Sequence, residues 1–371
     1  MAPGLQELLL IKLPAFLFVL GLVVTIHELG HFLAAKAVGI RVEQFSIGYP
    51  PRVWGKRIGD TDYCLSLIPL GGYVKMAGMI DESMENPDKI TGAPDEFMSK
   101  NTWQKMLVIS AGVIMNFLLA VAIYTGVTMK EGVPQTKEPV VEAVNPEFPA
   151  AQAGIKSGDR IVAVNGAPVT DWQSMVKVIH ANPETPVQIR WERDGRTMEA
   201  AVTPKRDKTL VEGEIKEVGL IGVGPRVTYE KVGFATAIGE GWKLLGTNLS
   251  MGGATLKMLF TGQAGIKDLG GPVKIAEWSG QAAKAGFTAL LLFAAFISIN
   301  IGMLNILPFP VLDGGHLAMV LIEAVARRPI STRVKLGIQQ VGMLMLLMLI
   351  VVITFNDLGG AKLIDSIKRM F

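Results

Sequence analysis

Four long apolar runs divide the chain. The first extends from Leu13 to about Ile40 and is interrupted by His27, Glu28, His31 and Lys36. The second, Met106–Met129, lies between Lys105 and Lys130 and carries no charge. The third, Thr288–Leu307, and the fourth, Leu336–Phe355, are uncharged too. Each is close to the ~20 residues a helix needs to cross a bilayer, so about four transmembrane helices are expected. A further run, Phe234–Phe260, is long enough to span. Its Glu240, Lys243, Asn248 and Lys257 assign it instead to the membrane interface as an amphipathic segment.

The pattern changes between the first two runs. "IRVEQFSIGYPPRVW" and "YCLSLIPLGGYVKMAG" are rich in β-branched and aromatic residues, with Gly and Pro at the breaks. They predict a small β-sheet whose strands include Tyr63–Ile68 and Gly72–Met76. The sheet is apolar enough to dip into the membrane, which requires protein or water to meet its backbone groups. Asp81–Asp95 is polar, acidic and proline-containing, and reads as a mobile loop. From about Pro139 to Arg226 the order is strand, turn, short helix and strands, with "SGDRIVAVNG" forming a tight turn, a buried strand and a second turn.

Composition supports the membrane reading. Of 371 residues 50% are hydrophobic and 19% charged, below the usual charge of a soluble domain. The formal net charge of +3 gives no reason to expect nucleic acid. The single cysteine, Cys64, excludes an intrachain disulfide, a CxxC motif and a zinc site built of four cysteines. Charge matters more by position. Lys36, Arg41, Arg52, Lys56, Arg57, Lys75, Lys89, Lys100 and Lys105 follow the first run, and Arg327, Arg328, Arg333 and Lys335 link the third and fourth. By the positive-inside rule both links are cytoplasmic, which places the termini and the 130–287 region outside. A cleaved signal peptide is the alternative for the first run, with "AAKA" as a faint cleavage site. Glu7 and Lys12 give its start no net positive side-chain charge, and His-Glu-Leu-Gly-His would be misplaced there.

Ionisable groups in a membrane helix are expensive and need a partner or a task. His27, Glu28 and His31 form HExxH. Residues four apart on a helix lie nearly one above the other, so both imidazoles can hold corners of a tetrahedral Zn²⁺ site. Glu28 is then placed to take a proton from a metal-activated water. A third protein ligand must come from elsewhere, with the fourth position left for water. "NILPFPVLDGGH" offers Asp313, with His316 as a rival and Glu323 as a weaker choice. Pro308 and Pro310 break the preceding helix, and Gly314-Gly315 allow a turn that swings the carboxylate inward. Asp313 could otherwise cap a helix starting near Gly315.

HELGH in a first membrane helix, "NILPFPVLDG" in a late one and "AGIKSGDRIVAVNG" between them resemble a site-2 protease, an intramembrane zinc metalloprotease. The nearest subgroup is the bacterial regulator-of-sigma-E proteases, and the middle segment resembles a PDZ domain. The resemblance implies that His27, His31 and Asp313 bind zinc, that Glu28 is the catalytic base, and that the site lies near the cytoplasmic face of the bacterial inner membrane. It associates Asn300 and Asn305 with substrate handling, where inter-helix hydrogen bonding is the plainer role. A substrate helix must unwind before cleavage, and its freed backbone groups can be met by strand addition. Gly71, Gly72, Tyr73 and Val74 are the candidate edge, within a β-loop that the family associates with substrate; the glycines alone would only mark a turn.

The implied substrates are membrane-tethered regulators such as anti-sigma factors, together with remnant signal peptides, trimmed beforehand by another protease. The PDZ would either capture a new carboxyl terminus or exclude bulky outer domains, and His180 on its helix reads as an ordinary partly exposed residue. Only one PDZ is readable where some relatives carry two, and "FSIGYPP" replaces a Gly-Phe-Gly-Pro type turn. A non-proteolytic scaffold with a closed structural metal site is the rival reading. The expected fold is thus a polytopic α-helical membrane protein with a membrane-associated β-sheet and an inserted α+β PDZ domain. Its segments are 1–38 (first helix with HExxH), 39–104 (re-entrant β-loop), 105–129 (second helix), 130–228 (PDZ), 229–287 (interfacial segment), 288–335 (third helix and LDG motif) and 336–371 (fourth helix and tail).

Overall fold

The structure, a computed structural model, describes residues 6–79, 91–211, 214–263, 265 and 270–359. Most of the loop expected at Asp81–Asp95 and the tail beyond Gly359 lie outside the described residues. The chain forms two units. One takes the described residues up to Val127 and those from Gly241 onward; the other is Thr128–Glu240.

In the first unit a π-helical turn, Leu8–Lys12, runs into α1 (Leu13–Ala37). Pro14 sits in the first turn of α1, where its missing N–H is least costly. β1 (Val42–Ile58) and β2 (Thr61–Met76) follow as a two-stranded sheet, then a 3₁₀ turn at Phe97–Ser99 and α2 (Thr102–Glu131). The two strands expected at Tyr63–Ile68 and Gly72–Met76 are in fact one, β2. It folds over near Gly71, so its halves flank the first half of β1: Phe45 pairs with Tyr63 and Val74, and Ile47 with Leu65 and Gly72. The second half of β1 returns along β2, from Arg52 opposite Ser66 to Ile58 opposite Thr61. Val53, Trp54, Ile58 and Leu67 stay exposed on this sheet, a surface suited to lipid.

The second unit carries β3 (Val133–Gln135), β4 (Val141–Val144), α3 (Pro149–Gln152), β5 (Arg160–Val164), β6 (Ala167–Pro168) and α4 (Trp172–His180). β7 (Val187–Arg193), β8 (Arg196–Val202), β9 (Lys205–Val211), β10 (Glu214–Leu220), β11 (Val223–Pro225) and β12 (Thr228–Glu230) complete it. The main sheet has the order β6-β5-β7-β8, and β11 pairs with β4, β12 with β3 and β9 with β10. The expected buried strand is β5, closed by a turn with Asn165 and Gly166 at positive φ. Ile161, Val164, Met175, Ile189 and Trp191 join one core. Asp171 caps α4, accepting from the Ser174 N–H at 2.8 Å while the Asp171 N–H faces Ser174 Oγ. That hydrogen bond, with a second from Thr170, holds the Asp171 carboxyl below its ordinary range. Asp159 is fully buried and accepts two hydrogen bonds from Arg193, both 2.7 Å. The unit is wider than 130–228 because β3 and β12 pair at its base.

The chain then continues through α5 (Phe234–Phe260), α6 (Pro272–Ala285), α7 (Phe287–Ile306), α8 (Asp313–Ala326) and α9 (Thr332–Asp357). Among the described residues four helical stretches are long and apolar enough to cross a membrane: Leu8–Ala37, Thr102–Glu131, Phe287–Ile306 and Thr332–Asp357. The continuous α5 is not one of them. Val19 and Val23 of α1 pack with Ala294 and Ile297 of α7, while Leu344, Leu347 and Val351 of α9 are exposed, as a lipid-facing helix requires. Arg333 and Lys335, expected in the link before the fourth span, lie in the first turn of α9. Lys335 tolerates its burial because Glu323 of α8 pairs with it at 2.7 Å.

Candidate metal centre

The centre begins with a close helix contact. A Cβ on Gly30 of α1 would stand 2.4 Å from the Ala111 carbonyl oxygen, and one on Gly112 of α2 would stand 2.4 Å from His31 Nε2. Small residues at both positions let the helix backbones meet, and the imidazoles fill the space that a side chain on α2 would occupy. α8 closes the other side. Gly314 and Gly315 lie so near the preceding turn that a Cβ on either would stand 2.2 Å from a backbone oxygen, of Leu307 and Phe309 respectively. Val311, two residues before Asp313, adopts a φ of 82°, a conformation that β-branched residues avoid and that persists only when its surroundings impose it.

This turn brings Asp313 to the histidines. Its Oδ2 lies 3.1 Å from His27 Nε2 and its Oδ1 3.4 Å from His31 Nε2, and the two Nε2 atoms are 3.1 Å apart. Asp313 is the first residue of α8 and Leu312 its N-cap, so the capping role is not realised. His316 instead reaches Gln339 at 3.2 Å, and Glu323 holds Lys335. His27, His31 and Asp313 form a group able to grip a metal ion. Their fit to zinc can be tested locally. His31 donates from Nδ1 to the Val108 carbonyl at 2.8 Å, which leaves Nε2 its lone pair. Asp313 Oδ2 is buried and receives no hydrogen bond from the described residues. Two imidazole nitrogens and a buried carboxylate oxygen converging within hydrogen-bond distance are a donor set that a borderline-soft dication satisfies.

The other expected residues divide. Gly72 lies beside Glu28, where a Cβ would stand 3.7 Å from its Cγ, and the Val74 backbone N–H acts on the Glu28 carboxylate. Gly71 packs on Val24 and Tyr49, and Tyr73 stacks on Tyr49 with ring centroids 6.2 Å apart. Asn305 reaches the cluster, its Nδ2 3.5 Å from His27 Nε2. Asn300 does not; it donates to the Phe296 carbonyl of its own helix. Three further contributors, which no sequence motif marks, come from the uncharged second run: Gly112, the Val108 carbonyl and Asn116, whose side chain faces His27. An amide side chain in mid-span, where polar groups need a partner, is the available signal.

Known proteins resemble this chain along most of its length. The profile of Peptidase family M50 matches residues 15–349. A protein of Rhizobium meliloti (strain 1021), whose name gives zinc metalloprotease as a provisional assignment, is 36% identical over 94% of this chain and 96% of its own. The Regulator of sigma-W protease RasP of Bacillus subtilis (strain 168) is 31% identical over 93% of this chain and 97% of its own. Among solved structures, the PDZ domain of an SdrC-like protein from Listeria monocytogenes aligns with 24% of this chain and 90% of its own, at 18% identity and a TM-score of 0.20. That overlap is too slight to carry weight. The near full-length kinship and the converging donors lead to one conclusion: the chain belongs to peptidase family M50 and is a membrane zinc metalloprotease of the site-2 protease type.

Proposed function

We propose that the chain cleaves transmembrane segments of membrane-tethered regulators, with His27, His31 and Asp313 as zinc ligands and Glu28 as general base. The observation that carries this reading is the placement of a strand edge, Gly72 to Val74, against Glu28 beside the three-ligand cluster. Zinc bound there would supply an activated water and polarise the scissile carbonyl. Glu28 accepts the proton of the attacking water and returns it to the leaving amine as the C–O bond forms and the C–N bond breaks. An unwound substrate segment adds as a strand along Gly71–Val74, so its backbone groups are satisfied away from water. Asn305 steadies the substrate near His27, while Asn300, bonded to the Phe296 carbonyl, takes the plainer role within its own helix. Three protein ligands leave room for water, as a catalytic rather than a structural zinc site requires.

Sigma-factor control by the Bacillus relative, as its name states, supports anti-sigma regulators as substrates; remnant signal peptides share the same chemistry. The test compares membrane fragments from cells carrying the parent enzyme and the Glu28→Gln variant. Fragments ending within a transmembrane segment are expected only with the parent, after prior trimming by another protease, and identical fragment sets would defeat the assignment. Orientation in the bacterial inner membrane, with the centre toward the cytoplasm and the PDZ in the periplasm, follows from the basic links. Cys64 is buried and accepts from Gln44, so it is a silent reporter. Lys56→Cys and Thr185→Cys, both at exposed positions, replace it. An impermeant thiol reagent added to the periplasm is expected to label only Thr185→Cys; the reverse pattern inverts the topology.

A further inference from the structure

Asn116 lies in the middle of α2 with no exposed surface, inside a span that carries no charge between Lys105 and Lys130. An unpaired amide is costly in such a place, so its partners matter. Its backbone carbonyl accepts from Ser298 Oγ of α7 at 2.9 Å, which pins the residue in place. Its side-chain Nδ2 stands 3.3 Å from His27 Nδ1, and its Oδ1 is buried without a hydrogen-bond partner among the described residues.

A half-turn of the amide exchanges these atoms without moving anything else. With Nδ2 toward the ring, His27 Nδ1 must be the acceptor, its proton sits on Nε2, and no lone pair remains to face Asp313 and a cation. With Oδ1 toward the ring, Nδ1–H donates to it, the amide N–H group takes the other position, and Nε2 becomes a ligand. His31 is already held in that state by the Val108 carbonyl. We propose that Asn116 is a positioning residue that presents Oδ1 to His27 Nδ1–H and thereby fixes the ligating tautomer. α2 thus supplies the outer partner of both imidazoles, a backbone carbonyl for one and an amide oxygen for the other.

The inference rests on the metal-centre reading above, and a parent chain that binds no zinc overturns both. Otherwise the full chain in detergent, competed for zinc against a chromophoric chelator, tests Asn116 alone. Asn116→Leu, which cannot accept, is expected to bind zinc roughly 10- to 100-fold more weakly, the usual cost of losing such a partner. Asn116→Asp, which can only accept, is expected to stay within about threefold of the parent. Cobalt-loaded samples give a second readout: the visible band of Asn116→Asp matches the parent, and that of Asn116→Leu is shifted or missing. Parent-like zinc affinity in Asn116→Leu overturns the proposal. So does a folded Asn116→Asp that binds no better than Asn116→Leu. Should the leucine variant fail to fold, the aspartate variant decides: parental affinity and cobalt band support the role, and their loss ends it.

Discussion

Glu28→Gln is expected to retain zinc and to lose cleavage. The substitution keeps the size and shape of a side chain packed beside Gly72, and it leaves His27, His31 and Asp313 untouched. An amide cannot take up the proton of the attacking water, so the rate falls by roughly 10²- to 10⁴-fold, the range for removing a general base. The measurement is cleavage of a membrane-spanning peptide in detergent, with metal content determined on the same sample. Unchanged cleavage would remove Glu28 from the mechanism. Loss of zinc along with activity would instead assign it to the ligand set.

Asp313→Ala is expected to strip the metal. Two imidazoles on one helix turn supply half of a tetrahedral shell, and the only further donor among the described residues near them is Asp313. Zinc affinity should therefore drop by more than the roughly 100-fold that a lost supporting hydrogen bond costs. His316→Ala, one turn along the same helix, is the matched comparison. Its side chain faces Gln339, and its removal is expected to leave zinc content at the parental value. If the two variants exchange these behaviours, the third ligand is His316.

Much of this was legible in the sequence because the relevant signals are local. HExxH fixes two donors by helical repeat alone, and uncharged runs about as long as a bilayer is thick mark their own helices. Asp313 was only the foremost of three candidates, since nothing local says where a turn after two prolines will aim a carboxylate. The geometry that decides it depends on Gly314 and Gly315 fitting under the carbonyls of the preceding turn. The β region shows the opposite limit. Alternation and breakers located strand-forming residues but not the folding-over of β2 around β1, because pairing partners are a non-local choice. α9 begins at Thr332, four residues before the apolar run, for a related reason. Arg333 and Lys335 read as link residues, yet the pairing of Lys335 with Glu323 makes its burial tolerable. Asn116 carries no charge and belongs to no spacing motif, so only the fold reveals that it faces His27.

The glycine contact between α1 and α2 has a consequence for traffic. With Gly112 pressed against both imidazoles, no lipid tail or water file can wedge in from that flank. β2 borders the centre on another side, where Gly72 lies beside Glu28. Arriving polypeptide and the water that will split it therefore reach the imidazoles from flanks other than the α1–α2 seam.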